Sequence, residues 1–176
     1  MKKVLVIGSS GAGKSTFAKR LGARLNTEVI HLDSLYWNPG WVETPKAEWL
    51  LMVEELLKRE AWIIDGNYSG TLGVRLQACD TVIFLDLPRS LCLWRVGKRR
   101  LLYWNRTRPD MADECRERLT LEFLLWVWNY PKRTRPEVLE RIRANAEHKQ
   151  VITLRSQAEV EKFLAGVDER AASAGT

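Results

Sequence analysis

Two histidines and three cysteines are all the imidazole and thiol in this 176-residue chain. Cys79, Cys92 and Cys115 form no CxxC pair and cannot all pair with one another. Neither a disulfide framework nor a zinc site is therefore expected, and a reducing cytoplasm is the default setting. Long apolar runs are also lacking. The longest, Leu119–Trp128, is broken by Thr120 and Glu122 and is far too short to span a bilayer. The opening Met1-Lys2-Lys3-Val4-Leu5-Val6-Ile7 has the charge of a secretory leader, but its apolar run stops at Gly8 with no small-residue cleavage pattern behind it. No internal repeat and no Gly/Ser linker divides the chain, so one domain over residues 1–176 is expected.

Hydrophobic residues make up 45% of the chain, enough for a core. The 28 Lys and Arg exceed the 22 Asp and Glu by six. That whole excess sits between Arg95 and Arg143, which hold 13 basic and 7 acidic residues. Such a balance tolerates an anionic partner without naming one. Five short runs, Val4–Ile7, Val29–Leu32, Trp62–Ile64, Thr81–Leu87 and Val151–Leu154, are rich in Val and Ile and do not alternate with polar residues. They read as strands buried on both faces of a parallel sheet. Helical spacing lies between them: Phe17, Leu21 and Leu25 share one face, and Trp49, Val53, Leu56 and Leu57 share another, after a Thr44 N-cap and Pro45. Ser156 and Glu159 form a capping-box pattern for a last helix that Gly166 is expected to end, with a frayed tail from Asp168.

The most informative string is Gly8-Ser9-Ser10-Gly11-Ala12-Gly13-Lys14-Ser15, which matches GxxxxGK[ST], the Walker A pattern, with Thr16 beside it. Its setting fits, a buried run before it and an amphipathic helix after it. Glycines let successive N–H groups curl around a phosphate, and the helix N-terminus adds partial positive charge. Lys14 is placed to reach the β- and γ-phosphates of ATP and the Ser15 hydroxyl to ligate Mg²⁺.

In an open α/β sheet ligands sit beyond the carboxyl ends of the strands. Three runs end there in an acid: Asp33, Asp65 and Asp86. An aspartate beside a phosphate loop can hold the hydration shell of Mg²⁺ or accept a proton from an attacking hydroxyl. Function is expected for Asp33 and Asp65, and an ordinary turn or cap role for Asp86, which precedes Leu87-Pro88.

The phosphate loop, Asp65-Gly66 and Trp94-Arg95-Val96-Gly97-Lys98-Arg99-Arg100 resemble the adenylate-kinase-like nucleoside monophosphate kinases. The strings His31-Leu32-Asp33-Ser34-Leu35-Tyr36-Trp37-Asn38-Pro39-Gly40-Trp41, Asp65-Gly66-Asn67-Tyr68 and Arg106-Thr107-Arg108-Pro109-Asp110-Met111 resemble more closely the related DNA topology modulation (FlaR-like) proteins. The resemblance implies an α/β fold of three layers, a P-loop NTPase with a five-stranded parallel sheet, an acceptor-binding segment over about 33–62, and a short helical lid within about 95–143. It implies Asp65 at the metal, Asp33 at the metal or acceptor, Arg95 and Arg99 entering the lid, Arg118 leaving it, and Arg155 near the adenine. Adenylate kinases carry acceptor arginines where this chain has Leu35-Tyr36-Trp37 and Asn67-Tyr68. Arg75 is the substitute expected in their place.

Arginines on a closing lid suit phosphoryl transfer, because their charge is permanent and their forked donors match phosphate oxygens. Eight tryptophans is a high number, and Trp37 and Trp41 bracket a turn at Asn38-Pro39-Gly40 in the acceptor segment. Rings there either stack on a substrate or pack the subdomain, while Trp49, Trp126 and Trp128 are expected in the core. The resulting expectation is a Mg²⁺-dependent kinase that moves the γ-phosphate of ATP to a nucleotide or other small acceptor. The alternative is an ATP-binding regulator that interacts with DNA through the basic segment and Trp94, Trp104, Trp126 and Trp128. A GTPase switch lacks its guanine-recognition string NKxD. The sequence leaves the oligomeric state open.

Overall fold

A computed structural model describes residues 1–103, 115 and 119–173, the last five of them by backbone alone. Five parallel strands form the central sheet: β1 (Lys3–Gly8), β2 (Val29–His31), β5 (Trp62–Asp65), β6 (Thr81–Leu85) and β7 (Gln150–Leu154), in the spatial order β2-β5-β1-β6-β7. These are the five apolar runs with ends moved by one or two residues: β1, β5 and β7 run longer than expected, and β2 and β6 stop short. The helices between them are α1 (Lys14–Leu25), α2 (Leu32–Tyr36), α3 (Lys46–Leu57), α4 (Ser69–Ala78), α5 (Arg89–Leu102), α6 (Leu121–Asn129), α7 (Thr134–Ala144) and α8 (Gln157–Ser173). A two-stranded hairpin, β3 (Trp37–Asn38) with β4 (Val42–Glu43), interrupts the alternation and was not expected from the sequence.

The lack of polar alternation in the strands follows from the two cores. Val4 and Val6 join one apolar cluster with Phe17, Leu21 and Leu164, while Leu5 and Ile7 join a second with Trp49, Val53 and Leu76. Successive residues point to opposite faces of a strand, so a strand covered on both faces must be apolar at every position. Ile83 and Leu85 against Val82 and Phe84 repeat the division in β6. Each fully buried Leu, Ile or Phe contributes about 1.5–3 kcal/mol, so β1, β5 and β6 anchor the loops at their carboxyl ends.

Local signals fared unevenly. Half of the capping box forms, with the Glu159 N–H donating to Ser156 Oγ at 3.2 Å, while the Glu159 carboxylate accepts from the N–H of Arg155, one residue before the cap, at 2.8 Å. Gly166 does not end its helix, which runs on to Ser173, because Leu164 and Val167 on the same turn stay packed in the core. Thr44 is not the cap of α3; Pro45 holds that place, and the Thr44 hydroxyl donates to the Tyr36 carbonyl at 2.7 Å, closing the base of the hairpin. Trp49 is buried as expected, but Trp126 and Trp128 are 39% and 46% exposed. Trp128 instead lies under the Arg89 guanidinium, 3.9 Å from the ring centroid. Among the described residues no helix is long and apolar enough to cross a membrane.

Candidate active site

The phosphate loop bridges β1 and α1, and its glycines carry the shape. Gly11 has φ +79 and Gly13 φ +90, the left-handed region that L side chains rarely adopt. A Cβ on Gly11 would also stand 2.2 Å from the Cys92 carbonyl oxygen, so the loop lies against α5 with no room for one. Lys14, the first residue of α1, turns back over the loop and donates from Nζ to the Ser9 carbonyl at 3.1 Å. Burial and nearby Arg99 lower its pKa, against the pull of Asp33 and Asp65. Ser9 lines neither the cavity over the loop nor the cleft beside it; it borders a small pocket with Asp86, Tyr130 and Arg135, and its hydroxyl is buried without a hydrogen-bond partner among the described residues.

The strand ends bring the carboxylates to this loop. Asp65 ends β5 and is 3% exposed, with His31 Nδ1 2.8 Å from its Oδ1. Asp33 sits in the first turn of α2, and the Tyr68 hydroxyl donates to its Oδ1 at 2.8 Å. Asn67 Oδ1 accepts from the Gly8 N–H at 3.2 Å, tying the loop after β5 to the start of the phosphate loop. Ser15, Asp33 and Asp65 open with Lys14 and Arg99 onto one cavity of about 290 Å³. A hydroxyl and carboxylates are hard oxygen donors, and Mg²⁺ takes one or two carboxylates while keeping water and phosphate oxygens as its other ligands. The residues present therefore fit that ion.

A second, larger cleft of about 660 Å³ adjoins the first and shares Lys14, Asp33 and Arg99 with it. Its other walls are the hairpin residues Trp37 and Trp41, the loop residues Asn67 and Tyr68, and Phe123 and Trp126 of α6. Burial and the Asp33 carboxylate push the Tyr68 phenol pKa upward, so Tyr68 keeps its proton and acts as a donor. A third cavity of about 170 Å³ lies at the other end of the phosphate loop, between Gly13, Thr16, Arg95 and Gln157. There Arg95 donates to the Ala12 carbonyl at 3.3 Å and to Gln157 Oε1 at 2.8 Å.

Most of the expected site residues converge on these cavities: Ser10, Gly11, Gly13, Lys14, Ser15, Thr16, Asp33, Asp65, Arg95 and Arg99 line the one over the phosphate loop. Three depart. Arg75 does not reach the acceptor cleft. It is fully buried and donates to the carbonyls of Gly66 at 2.9 Å, Asn67 at 2.7 Å and Tyr68 at 2.8 Å. Its guanidinium is spent on the loop that carries Tyr68, so it positions that loop from behind. Arg155 is exposed at the turn after β7, and Gln157 is the residue there that lines the third cavity. Arg118 and the string Arg106–Met111 lie outside the described residues. Sequence reasoning missed His31, Gln157, Phe123 and Trp126. Only His31 carried a signal, its place two residues before Asp33 at a strand end.

No family profile matches the chain. The uncharacterized protein YqaC of Bacillus subtilis (strain 168) is 31% identical over 132 residues, 73% of this chain and 72% of that protein. Among solved structures, shikimate kinase from Acinetobacter baumannii in complex with shikimate superposes with a TM-score of 0.62 at 16% identity, over 98% of this chain and 94% of that one. A gluconokinase from Sinorhizobium meliloti 1021 does so with a TM-score of 0.52, again at 16% identity over 98% and 94% of the two chains. A sugar kinase from a Janibacter species gives 0.50 at 19% identity, over 98% and 93%. These likenesses are of fold: the five-stranded parallel sheet and its helices are those of the P-loop kinases.

Proposed function

The chain belongs to the family of the Bacillus subtilis protein YqaC, and we propose that it is a Mg²⁺- and ATP-dependent kinase that phosphorylates a small molecule. The observation that carries this reading is the wall common to two cavities. Lys14, Asp33 and Arg99 face the phosphate loop on one side and an aromatic-lined cleft on the other. An NTPase that only hydrolyses its nucleotide needs no second organic cleft at the γ-phosphate, whereas a kinase does.

In this reading ATP lies along the phosphate loop with its base toward Arg95 and Gln157 and its γ-phosphate at Lys14. When bound, Mg²⁺, held at Ser15 and Asp65, supplies charge to the phosphate oxygens. Asp33 accepts the proton of the acceptor hydroxyl, and the Tyr68 bond fixes which carboxylate oxygen is left to do so. Lys14, Arg95 and Arg99 offset the charge on the phosphoryl group as it moves. Arg118 belongs to the same group through the resemblance. Trp37, Trp41, Asn67 and Tyr68 hold the acceptor, joined by Phe123 and Trp126, and the rings exclude water that would otherwise take the phosphate. The three cysteines are free and buried, which suits a cytoplasmic setting.

The DNA-binding alternative implied by the topology-modulation resemblance has less support. Four of the basic residues of segment 95–143 are put to separate uses: Arg95 and Arg99 line the cavities, Arg135 pairs with Asp86 at 2.7 Å, and Arg141 pairs with Glu137 at 2.7 Å. A duplex-binding face needs such charges gathered along one backbone.

The test is ADP release from Mg·ATP, alone and with nucleosides, nucleoside monophosphates and small polyols, with products identified by mass and Lys14→Ala as the blank. An acceptor that gains one phosphate, with the gain lost in Lys14→Ala, is the expected result. ADP release at the blank level with every acceptor, together with salt-sensitive duplex binding, moves the reading to DNA.

A further inference from the structure

Resting on the kinase reading above, we infer that the acceptor is a hydroxylated amine, its cationic nitrogen held in an aromatic corner beside Glu43 and its hydroxyl at Asp33. The corner is built by the hairpin. The antiparallel register sets Trp37 directly opposite Glu43. Gly40 and Trp41 follow each other with φ of +78 and +68, and these two left-handed residues fold Trp41 back onto Trp37. The ring centroids are 5.2 Å apart and the planes meet at 67°. A tryptophan at positive φ is strained, and strain of this kind persists where a site uses it.

Among the described residues the corner offers charge of one sign. Aromatic faces are negative and their edges positive. Trp37, Trp41 and Glu43 line the cleft together, and Phe123 and Trp126 face it from α6 with their rings nearly parallel, at 18° and 6.1 Å. Burial and the nearby Glu43 carboxylate push the Tyr36 phenol pKa upward, so a protonated hydroxyl stands close to that carboxylate. Among the described residues the cations of this cleft are Lys14 and Arg99, and both also line the cavity over the phosphate loop. Arg75 is turned away into the core. The far end of the cleft thus offers ring faces and a carboxylate.

An acceptor bearing carboxylate or phosphate would press like charge against Glu43. A neutral polyol would gain hydrogen bonds and stacking alone. An ammonium within about 6 Å of a ring centroid gains the ring quadrupole as well as the carboxylate. The transfer balances: the acceptor O–H bond breaks, its proton goes to Asp33, its oxygen bonds to the γ-phosphorus, and the bond from that phosphorus to the bridging oxygen breaks to leave ADP.

The experiment uses the full chain and two sets of acceptors matched in skeleton and differing in charge: glucosamine, glucose and gluconate, then ethanolamine, ethylene glycol and glycolate. Calorimetry with a non-hydrolysable ATP analogue and Mg²⁺ reads binding, and mass spectrometry with ATP reads transfer. In at least one set the amine is expected to bind roughly tenfold tighter than its neutral partner, with the anion weakest. Glu43→Gln, an exposed and conservative change, should bring the amine within about twofold of the neutral compound, and Trp126→Leu should weaken the amine most. Amines that bind no better than neutral partners in both sets overturn the proposal. So does phosphate transferred to a neutral or anionic acceptor in preference to its amine, which leaves the kinase reading standing. Tight amine binding with no transfer to any compound supports the corner as an amine site and overturns the kinase reading instead.

Discussion

The Tyr68 hydroxyl donates to Asp33 Oδ1 at 2.8 Å, joining the loop after β5 to the first turn of α2 across 35 residues of sequence. Tyr68 adopts φ 22 and ψ 79, a conformation that L residues rarely hold, and its ring lies 4.6 Å from Tyr36 and 5.2 Å from Trp49. The packed rings keep the phenol aimed at the carboxylate. Tyr68→Phe keeps the rings and removes the bond, so kcat should fall about tenfold, the scale of one hydrogen bond to a charged group. Asp33→Asn removes the proton acceptor and should lower kcat by about 10²–10⁴ with the ATP dissociation constant little changed. Steady-state kinetics and calorimetry on the two variants separate these effects. Equal activity in Asp33→Asn and wild type would refute the proton-acceptor role.

The Gly11 position admits no side chain. Gly11→Ala would force a Cβ against the Cys92 carbonyl at a φ of +79, so either the loop or α5 must shift. Loss of ATP binding and a fall of several degrees in Tm are expected. The matching change at Gly73, on α4 with open space around its Cβ position, should leave Tm within about 3 °C of wild type.

Arg75 holds three consecutive carbonyls from the protein interior. Burial lowers its pKa, but these oxygen acceptors favour the charged guanidinium, and a lysine cannot reach all of them at once. Arg75→Lys should cost roughly 1–3 kcal/mol of stability for the carbonyls left unpaired. Because the freed loop carries Asn67 and Tyr68, it should also raise KM for the acceptor more than KM for ATP. Denaturant unfolding and substrate titrations read the two effects independently.

Asp80 predicts an acid-side loss of stability. Burial alone would raise its pKa, but the Thr81 hydroxyl at 2.6 Å and the backbone N–H groups of Lys3 at 2.9 Å and Lys2 at 2.7 Å pull it below the usual carboxylate range. A carboxyl with a depressed folded pKa stabilises fully above its unfolded value, near 4, and loses that contribution as pH falls through the folded one. Tm measured from pH 6 to pH 2.5 should therefore drop less in Asp80→Asn than in wild type, from a lower starting point. Parallel curves would rule out this linkage.

Much of the molecule was legible in its residues because the signals are local. The phosphate loop needs glycine at fixed offsets, and a doubly covered strand must be apolar at every position, so β1, α1 and the acids just after β2 and at the end of β5 could be placed from sequence. The apolar spacing of α6 was equally clear, yet Trp126 was expected in the core and instead faces the cleft. Periodicity says which residues share a face and not which neighbour that face meets. Arg75 was expected at the acceptor for the complementary reason: an arginine near a site reads as a ligand until the packing shows its guanidinium pointing inward.

By itself the sequence determined the phosphate loop, the five strands and the carboxylates that end or follow them, since each is written in a pattern of residues a few positions apart. Only the tertiary structure decided that Tyr68 bonds Asp33, that His31 meets Asp65, that Arg75 braces the loop between them, and that four aromatic rings from the hairpin and α6 share a cleft. Those contacts join segments from 7 to 89 residues apart. Their geometry depends on how helices pack across the sheet and on where each side chain finds its hydrogen-bond partner, which no local pattern of residues encodes.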